Sequence, residues 1–307
     1  MRFCRISGLM LLLAGCGDPI HPRQVIEKPR VLGARAEVTG DAGRATPAPS
    51  ESASVRWFVV DPLGEPDVGW SLVACEPLPV ATGASRCGDH ILASDVSERG
   101  TRRLPELQFS LPDDYRASSV LVAGAVCFGG TPPSTDELLR DWPRVTRCGA
   151  GRAQAVTFEV TVDHGGDRNR NPSLGGDPLN LHQATWPPLS SEVIEPCFDR
   201  QERADLPKVS SQEGAVRISY GPHATDRERL ADGQGESLLM ASFSNAGELE
   251  RTFSVIEWET SPQGSVELEW VPSGKIPPGG KIVTFYFVLR DSRGGSDWTE
   301  RSLCLGR

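Results

Sequence analysis

The residues that could do chemistry are few and scattered. Five histidines occur, His21, His90, His164, His182 and His223, each in a turn-like or Pro/Gly-rich setting; that context suits a solvated loop residue better than a general base. The motifs G-x-S-x-G and H-E-x-x-H and a partnered S-x-x-K are missing from the chain, so serine-hydrolase and zincin chemistry lose support. Acid pairs at i, i+2, Glu257/Glu259 and Glu267/Glu269, would share one face of a strand as glycosidase carboxylates can. The wet face of a sheet explains them equally well. The run Asp167-Arg168-Asn169-Arg170-Asn171-Pro172 sets Asp167, Asn169 and Asn171 at alternate positions, and calcium takes about six to eight such oxygens. Arg170 would bring positive charge close to the ion, and a polar linker of Asx-turns is the competing reading. An EF-hand loop starting at Asp167 fails, because Pro172 and Pro178 replace its Gly and final Glu.

Cysteines carry a clearer message. Besides Cys4 and Cys16, six remain: Cys75, Cys87, Cys127, Cys148, Cys197 and Cys304. An even number in an exported chain points to disulfides, and six cysteines allow about fifteen connectivities. No CxxC or His-x-His accompanies them, which disfavours zinc. Sequence does not select one connectivity; pairing in chain order, 75 with 87, 127 with 148 and 197 with 304, is the expectation that keeps each bridge inside one proposed domain. Trp57, Trp70 and Trp270 fall in apolar strand patterns and are expected in cores. Trp258 and Trp298 flank polar turns and are the better candidates for exposure.

The address lies at the start. Arg2 and Arg5 precede the apolar run Leu9 to Leu13 and then small residues, the make-up of a secretory signal. That run is too short to span a bilayer, which takes ~20 apolar residues, and no later segment reaches this length. Leu13-Ala14-Gly15-Cys16 resembles the bacterial lipobox. The resemblance implies cleavage before Cys16 and acylation of that residue, and two or three acyl chains hold a protein on a membrane nearly permanently. Gly17 rather than Asp follows the cysteine, which by the same resemblance implies outer-membrane sorting.

The remaining composition must position these groups. The 307 residues hold 32 Gly and 25 Pro, with Lys+Arg at 32 against Asp+Glu at 41. Frequent turn formers favour an all-β fold, and a net charge of −9 without a basic stretch makes nucleic acid a poor partner. Residues 1–15 read as the signal, 16–30 as an extended Pro-rich tether, 31–163 as a first β-sandwich domain, 164–190 as a linker and 191–307 as a second. Strands are expected at Val31 to Val38, Val55 to Val60, Gly69 to Cys75, Ser119 to Phe128 (mid-sheet, apolar on both faces) and Val156 to Val162. In the second half they are expected at Val216 to Tyr220, Leu238 to Ser244, Thr252 to Trp258, Val266 to Trp270, Ile282 to Arg290 and Trp298 to Leu305. Thr39 to Ser52 reads as a surface loop. Ser134 and Glu137 form a capping box that predicts one helix over 134–142.

Pro278-Gly279-Gly280, the strand 282–290, the turn Asp291 to Gly295 and the return strand resemble the last hairpin of bacterial immunoglobulin-like and PKD-type surface domains. Val59 to Gly64 leading to Trp70-Ser71 resembles an early hairpin of the same class. The PKD signature W-D-F-G-D-G is missing, its place reading Trp270-Val271-Pro272-Ser273-Gly274. The resemblance implies two immunoglobulin-like domains in tandem on a lipoprotein. The run from Asp167 is similar to the D-x-N-D-N-x-P calcium linkers of cadherins, with Pro172 one place early and Arg170 where an acid stands. The function expected from the whole is a non-enzymatic, lipid-anchored binding or structural module of the cell envelope, with an envelope protein or glycan as partner. An exported hydrolase or carbohydrate-active protein is the alternative. Changing Cys16 to Ala is expected to move the protein out of the detergent phase or block its processing; unchanged membrane partition would contradict lipidation.

Overall fold

The computed structural model describes residues 24–78, 85–98, 104–145, 147–166, 168–174, 179–189, 195–198, 205–222, 227–230, 233, 235–257 and 264–307. The signal, Cys16, Asp167, His21, His223, Trp258 and Glu259 lie outside them. In the first half the strands are β1 (Arg30–Val38), β2 (Ser52–Val60), β3 (Gly69–Leu78), β4 (Arg86–Ser97), β5 (Glu106–Ser110), β6 (Ser119–Phe128), β7 (Arg147–Cys148) and β8 (Gly151–Thr161), with helix α1 (Thr135–Asp141) between β6 and β7. In the second half they are β9 (Leu179–Leu181), β10 (Ala184–Thr185), β11 (Lys208–Ser210), β12 (Val216–Tyr220), β13 (Leu238–Ser244), β14 (Glu248–Leu249), β15 (Phe253–Ile256), β16 (Val266–Val271), β17 (Lys281–Asp291) and β18 (Ser296–Gly306). The protein is all-β apart from α1 among the described residues.

These strands make four sheets that face one another in pairs. Sheet β1-β2-β5 faces sheet β4-β3-β6-β8-β7, and sheet β10-β9-β12-β16-β14 faces sheet β11-β18-β17-β13-β15. Each pair encloses its own core. Val55, Trp57, Val59, Trp70, Val120, Val122 and Val160 fill the first. Trp270, Phe285, Phe287, Leu289 and Leu268 are central to the second. Period-two alternation decides which side chain goes where: on β17, Val283, Phe285, Phe287 and Leu289 point into the second core. Central β6 is buried on both faces. Its Val120, Val122 and Val126 meet the first core, while Leu121, Ala123 and Ala125 meet Leu138 and Trp142 of the α1 segment. The capping box forms as expected, with Ser134 Oγ accepting from Glu137 N and the Glu137 carboxylate accepting from Ser134 N.

The two sandwiches touch through faces that a lone sandwich would leave wet. Phe58 and Val60 on the outer face of β2, with Leu32 of β1, pack against Ala241, Phe243, Tyr286 and Val288 on the outer faces of β13 and β17. Trp298 stacks on Phe58 with ring centroids 5.3 Å apart, and Tyr286 meets the same ring edge-on at 6.2 Å. Gly33 permits the approach, because a Cβ there would stand 3.0 Å from Val288 Cγ1. Trp298, expected near solvent, is thus half-buried in this interface.

Three expected segments are corrected. The tether 16–30 is not free over its last part: Val25 bridges Ser244 in parallel, Ile26 N donates to Ser244 O at 2.8 Å, Ser244 N donates to Gln24 O at 3.0 Å, and Ile26 is buried. Residues 24–26 therefore extend the edge of β13, and a single Ile among prolines is enough to hold them. The linker 164–190 is not a spacer from Leu174 onward, since Leu174, Leu179, Leu181 and Trp186 belong to the second core and β9 and β10 to its sheet. Loop 39–52 is partly covered, with Ala45 and Thr46 buried, because the chain after residue 167 lies across it.

Disulfides Cys75–Cys87, Cys127–Cys148 and Cys197–Cys304 join the cysteines in chain order. The last spans 107 residues, and closing a loop that long removes unfolded-chain entropy worth ~4–5 kcal/mol. No helix among the described residues is long and apolar enough to cross a membrane. Trp186 tests the revised boundary: it is fully buried, donates from Nε1 to Ser302 O at 3.0 Å and meets Phe285 edge-on at 5.2 Å. Trp186→Ala is expected to destabilise the protein by roughly 3–5 kcal/mol in urea unfolding; a loss within experimental error would return this segment to the linker.

Candidate functional site

The oxygen-rich run becomes a seam between the sandwiches. Asn169 N donates to Thr46 Oγ1 at 2.9 Å and its Nδ2 donates to Asp291 Oδ2 at 3.0 Å. Asn171 donates from Nδ2 to Ala36 O at 2.8 Å and accepts from Ser296 N at 3.0 Å. Arg35 pairs with Asp297 at 2.6 Å, and the other oxygen of Asp297 accepts from Leu174 N at 2.7 Å. The described residues contain no group of three or more His, Cys, Asp or Glu side chains suited to a metal ion. Asn169 and Asn171 engage first-sandwich backbone on one side and the β17–β18 turn on the other, as residues of the joint; Asp167, the third residue of the expected calcium set, lies outside the described residues.

Beneath the seam lies a network of charges. Arg293 bonds Glu236 at 2.9 Å and also pairs with Glu228. Glu236 is 1% exposed, and burial pushes its carboxyl up to about 6, helped by the nearby Asp291 charge and opposed by Arg293. Burial likewise raises Asp291, although Asn169 and the backbone of Arg293 and Gly295 donate to it.

The remaining sequence candidates do not converge. Glu267 and Glu269 stand exposed on the outer face of β16, with Glu267 4.0 Å from Arg217. His90 lies 3.7 Å from Glu76, His182 3.9 Å from Glu213, and His164 Nε2 2.9 Å from Ala117 O. Trp57, Trp70 and Trp270 are buried in the two cores.

A cleft that no sequence motif announced opens on the far side of the first sandwich. It has a volume of about 890 Å³, and Arg86, Arg140, Arg144 and Arg147 line it together with Glu137 and Asp141. Leu138 and Trp142 anchor α1 on the outer face of the β3–β6 sheet, and Trp142 Nε1 donates to Ser85 O at 3.2 Å, tying the helix end to the start of β4. Two disulfides brace the walls: Cys75–Cys87 holds β4 to β3, and Cys127–Cys148 holds β7 to the end of β6. Arg140 pairs with Asp141 at 3.4 Å, and Glu137 is held by the cap. Arg86, Arg144 and Arg147 form no ion pair among the described residues and are exposed. Arg140, Arg144 and Arg147 share one short segment, the only signal in the sequence; Arg86 joins them through the β3–β4 hairpin. A guanidinium offers a planar fork of donors that fits carboxylate and phosphate, so the arrangement suits an anion.

The fold and the cleft define an all-β, disulfide-braced chain of paired sheets with one cationic recess. No family model matches the chain, and no curated protein matches it. Among solved structures it is similar to dimeric latent PorU from Porphyromonas gingivalis, with 11% identity, a TM-score of 0.22, and 89% of this chain aligned to 24% of that one. The chain thus spans about a quarter of that structure.

The seam predicts a pH dependence with a definite sign. Glu236 binds its proton near pH 6 when folded and near the ordinary glutamate value when unfolded. The native state therefore holds extra proton between these values, and stability rises as pH falls through 6 and is lost as pH rises, by up to ~2 kcal/mol. Glu236→Gln is expected to flatten the melting temperature between pH 4.5 and 6.5; an unchanged slope would assign the dependence elsewhere.

Proposed function

We propose that this protein is a lipid-anchored component of the cell envelope, built as two immunoglobulin-like sandwiches in tandem, that binds an anionic ligand in the arginine cleft of the first sandwich and is not an enzyme. The observation that carries the reading is the concentration, in one braced recess of a chain whose net charge is −9, of three guanidinium groups that form no ion pair among the described residues. Unbalanced like charge in a recess raises the local concentration of counter-charge and persists where a ligand supplies it.

Position supports the same reading. The second sandwich packs on the outer face of sheet β1-β2-β5, whereas the cleft lies on the outer face of sheet β4-β3-β6-β8-β7. Gln24 is fixed to the second sandwich, hydrogen-bonded from Nε2 to Leu249 O at 2.8 Å, and the chain from Cys16 to Gln24 reaches at most ~29 Å. In this reading an acylated Cys16 keeps the Gln24 attachment on the second sandwich close to the bilayer, with the cleft on the opposite face of the first sandwich. An acidic envelope glycan or acidic protein segment is the kind of partner this presents to.

Titration of the mature protein with tripolyphosphate tests the claim calorimetrically. Saturable binding that weakens steeply with salt and falls at least about tenfold in Arg86→Gln/Arg144→Gln/Arg147→Gln is expected. Absence of binding, or binding indifferent to the triple change, would contradict it.

A further inference from the structure

The arginine cleft is not closed at its inner end. It adjoins a second groove of about 510 Å³, with Arg86, Arg140 and Trp142 lining both. The second groove is more apolar: Leu78, Ile91, Leu138 and Leu139 line it between β4 and α1, with Asp89 as the acid at its β4 side. Leu78, at the end of β3, is 50% exposed and Ile91, on β4, 37%, so both stand open to solvent. Exposed large apolar side chains beside a recess mark a place where apolar surface is covered in use. Cationic forks at one end and an apolar trough at the other, sharing a wall, are the complement of one molecule with two ends.

From this juxtaposition we infer that the ligand is an amphipathic anion, with a phosphate or carboxylate head held by Arg86, Arg140, Arg144 and Arg147 and an apolar tail laid along Leu78, Ile91 and Leu139. The inference rests on the anion-binding reading above and narrows its ligand class. Charge complementarity favours the head end in the arginine cleft: among the described residues its lining acids, Glu137 and Asp141, are engaged by the helix cap and by Arg140. The apolar part of the trough favours the tail end, because covering Leu78, Ile91 and Leu139 with an apolar group removes their surface from water. The Cys75–Cys87 bridge lies at the trough, with Cys87 in its lining, and ties β4 to β3 there.

The test compares three probes on the full mature protein by calorimetric titration below micellar concentrations: octyl phosphate, inorganic phosphate and 1-octanol. Octyl phosphate is expected to bind at least about thirtyfold more tightly than either of the others, since the head and the tail each contribute. Leu78→Ser/Ile91→Ser changes two exposed side chains and so leaves the core intact; it is expected to erase most of the advantage of octyl phosphate over phosphate. Equal affinity for octyl phosphate and inorganic phosphate would overturn the amphipathic assignment and leave the anion site standing. Equal affinity for octyl phosphate and octanol, or an advantage that survives Leu78→Ser/Ile91→Ser, would also overturn it. Failure of every anion to bind would remove both readings together.

Discussion

Everything in this molecule depends on two strands that carry large apolar side chains on both faces. β2 turns Val55, Trp57 and Val59 into its own core and Phe58 and Val60 outward; β17 turns Phe285, Phe287 and Leu289 inward and Tyr286 and Val288 outward. A two-sheet sandwich covers only the inner face of each sheet. Exposed outer rows would form the kind of patch that drives association, so the two sandwiches cover each other. Phe58 at the centre, stacked on Trp298 and edge-on to Tyr286, carries the contact.

The rest of the joint follows from that contact. Once β1 lies on β17, backbone groups at the rim must find partners: Leu32 O accepts from Arg290 at 2.8 Å, Ala34 O accepts from Ser296 Oγ, and Ala36 O accepts from Asn171. The connecting chain at 168–174 is drawn into the seam to supply several of these bonds. Its amides are better suited than carboxylates to a place already holding Asp291, Glu236 and Glu228, since Asn donates as well as accepts. The N-terminal segment is captured at the same place, with Ile26 completing the apolar cluster. A joint fixed at so many points holds the first sandwich, and with it the cleft, in one orientation relative to residues 24–26 and the second sandwich.

What was legible in the sequence is what local pattern encodes. β6 and β17 are readable because long apolar or alternating runs have one structural meaning, and α1 because its capping box is a local device. β4 has no legible signal: Arg86 to Ser97 is mostly exposed along an edge, so it carries no clean alternation. β9 and Trp186 were missed because three residues and a lone tryptophan among glycines and prolines look like linker until the second core closes over them. Asn169 and Asn171 drew notice by their spacing, but what they bond depends on the turn at Asp291–Gly295, more than a hundred residues away. The cleft was invisible for the same reason, since Arg86 meets Arg140, Arg144 and Arg147 only after β3, β4 and α1 have packed.

Through the interface at Phe58 the two sandwiches are expected to unfold as one cooperative unit. Scanning calorimetry of the mature, disulfide-intact protein tests it most directly. A single transition, with the calorimetric enthalpy equal to the van't Hoff enthalpy, is the expected result, and Phe58→Ser is expected to split it in two. Two separate transitions in the unaltered protein, insensitive to that substitution, would contradict the claim.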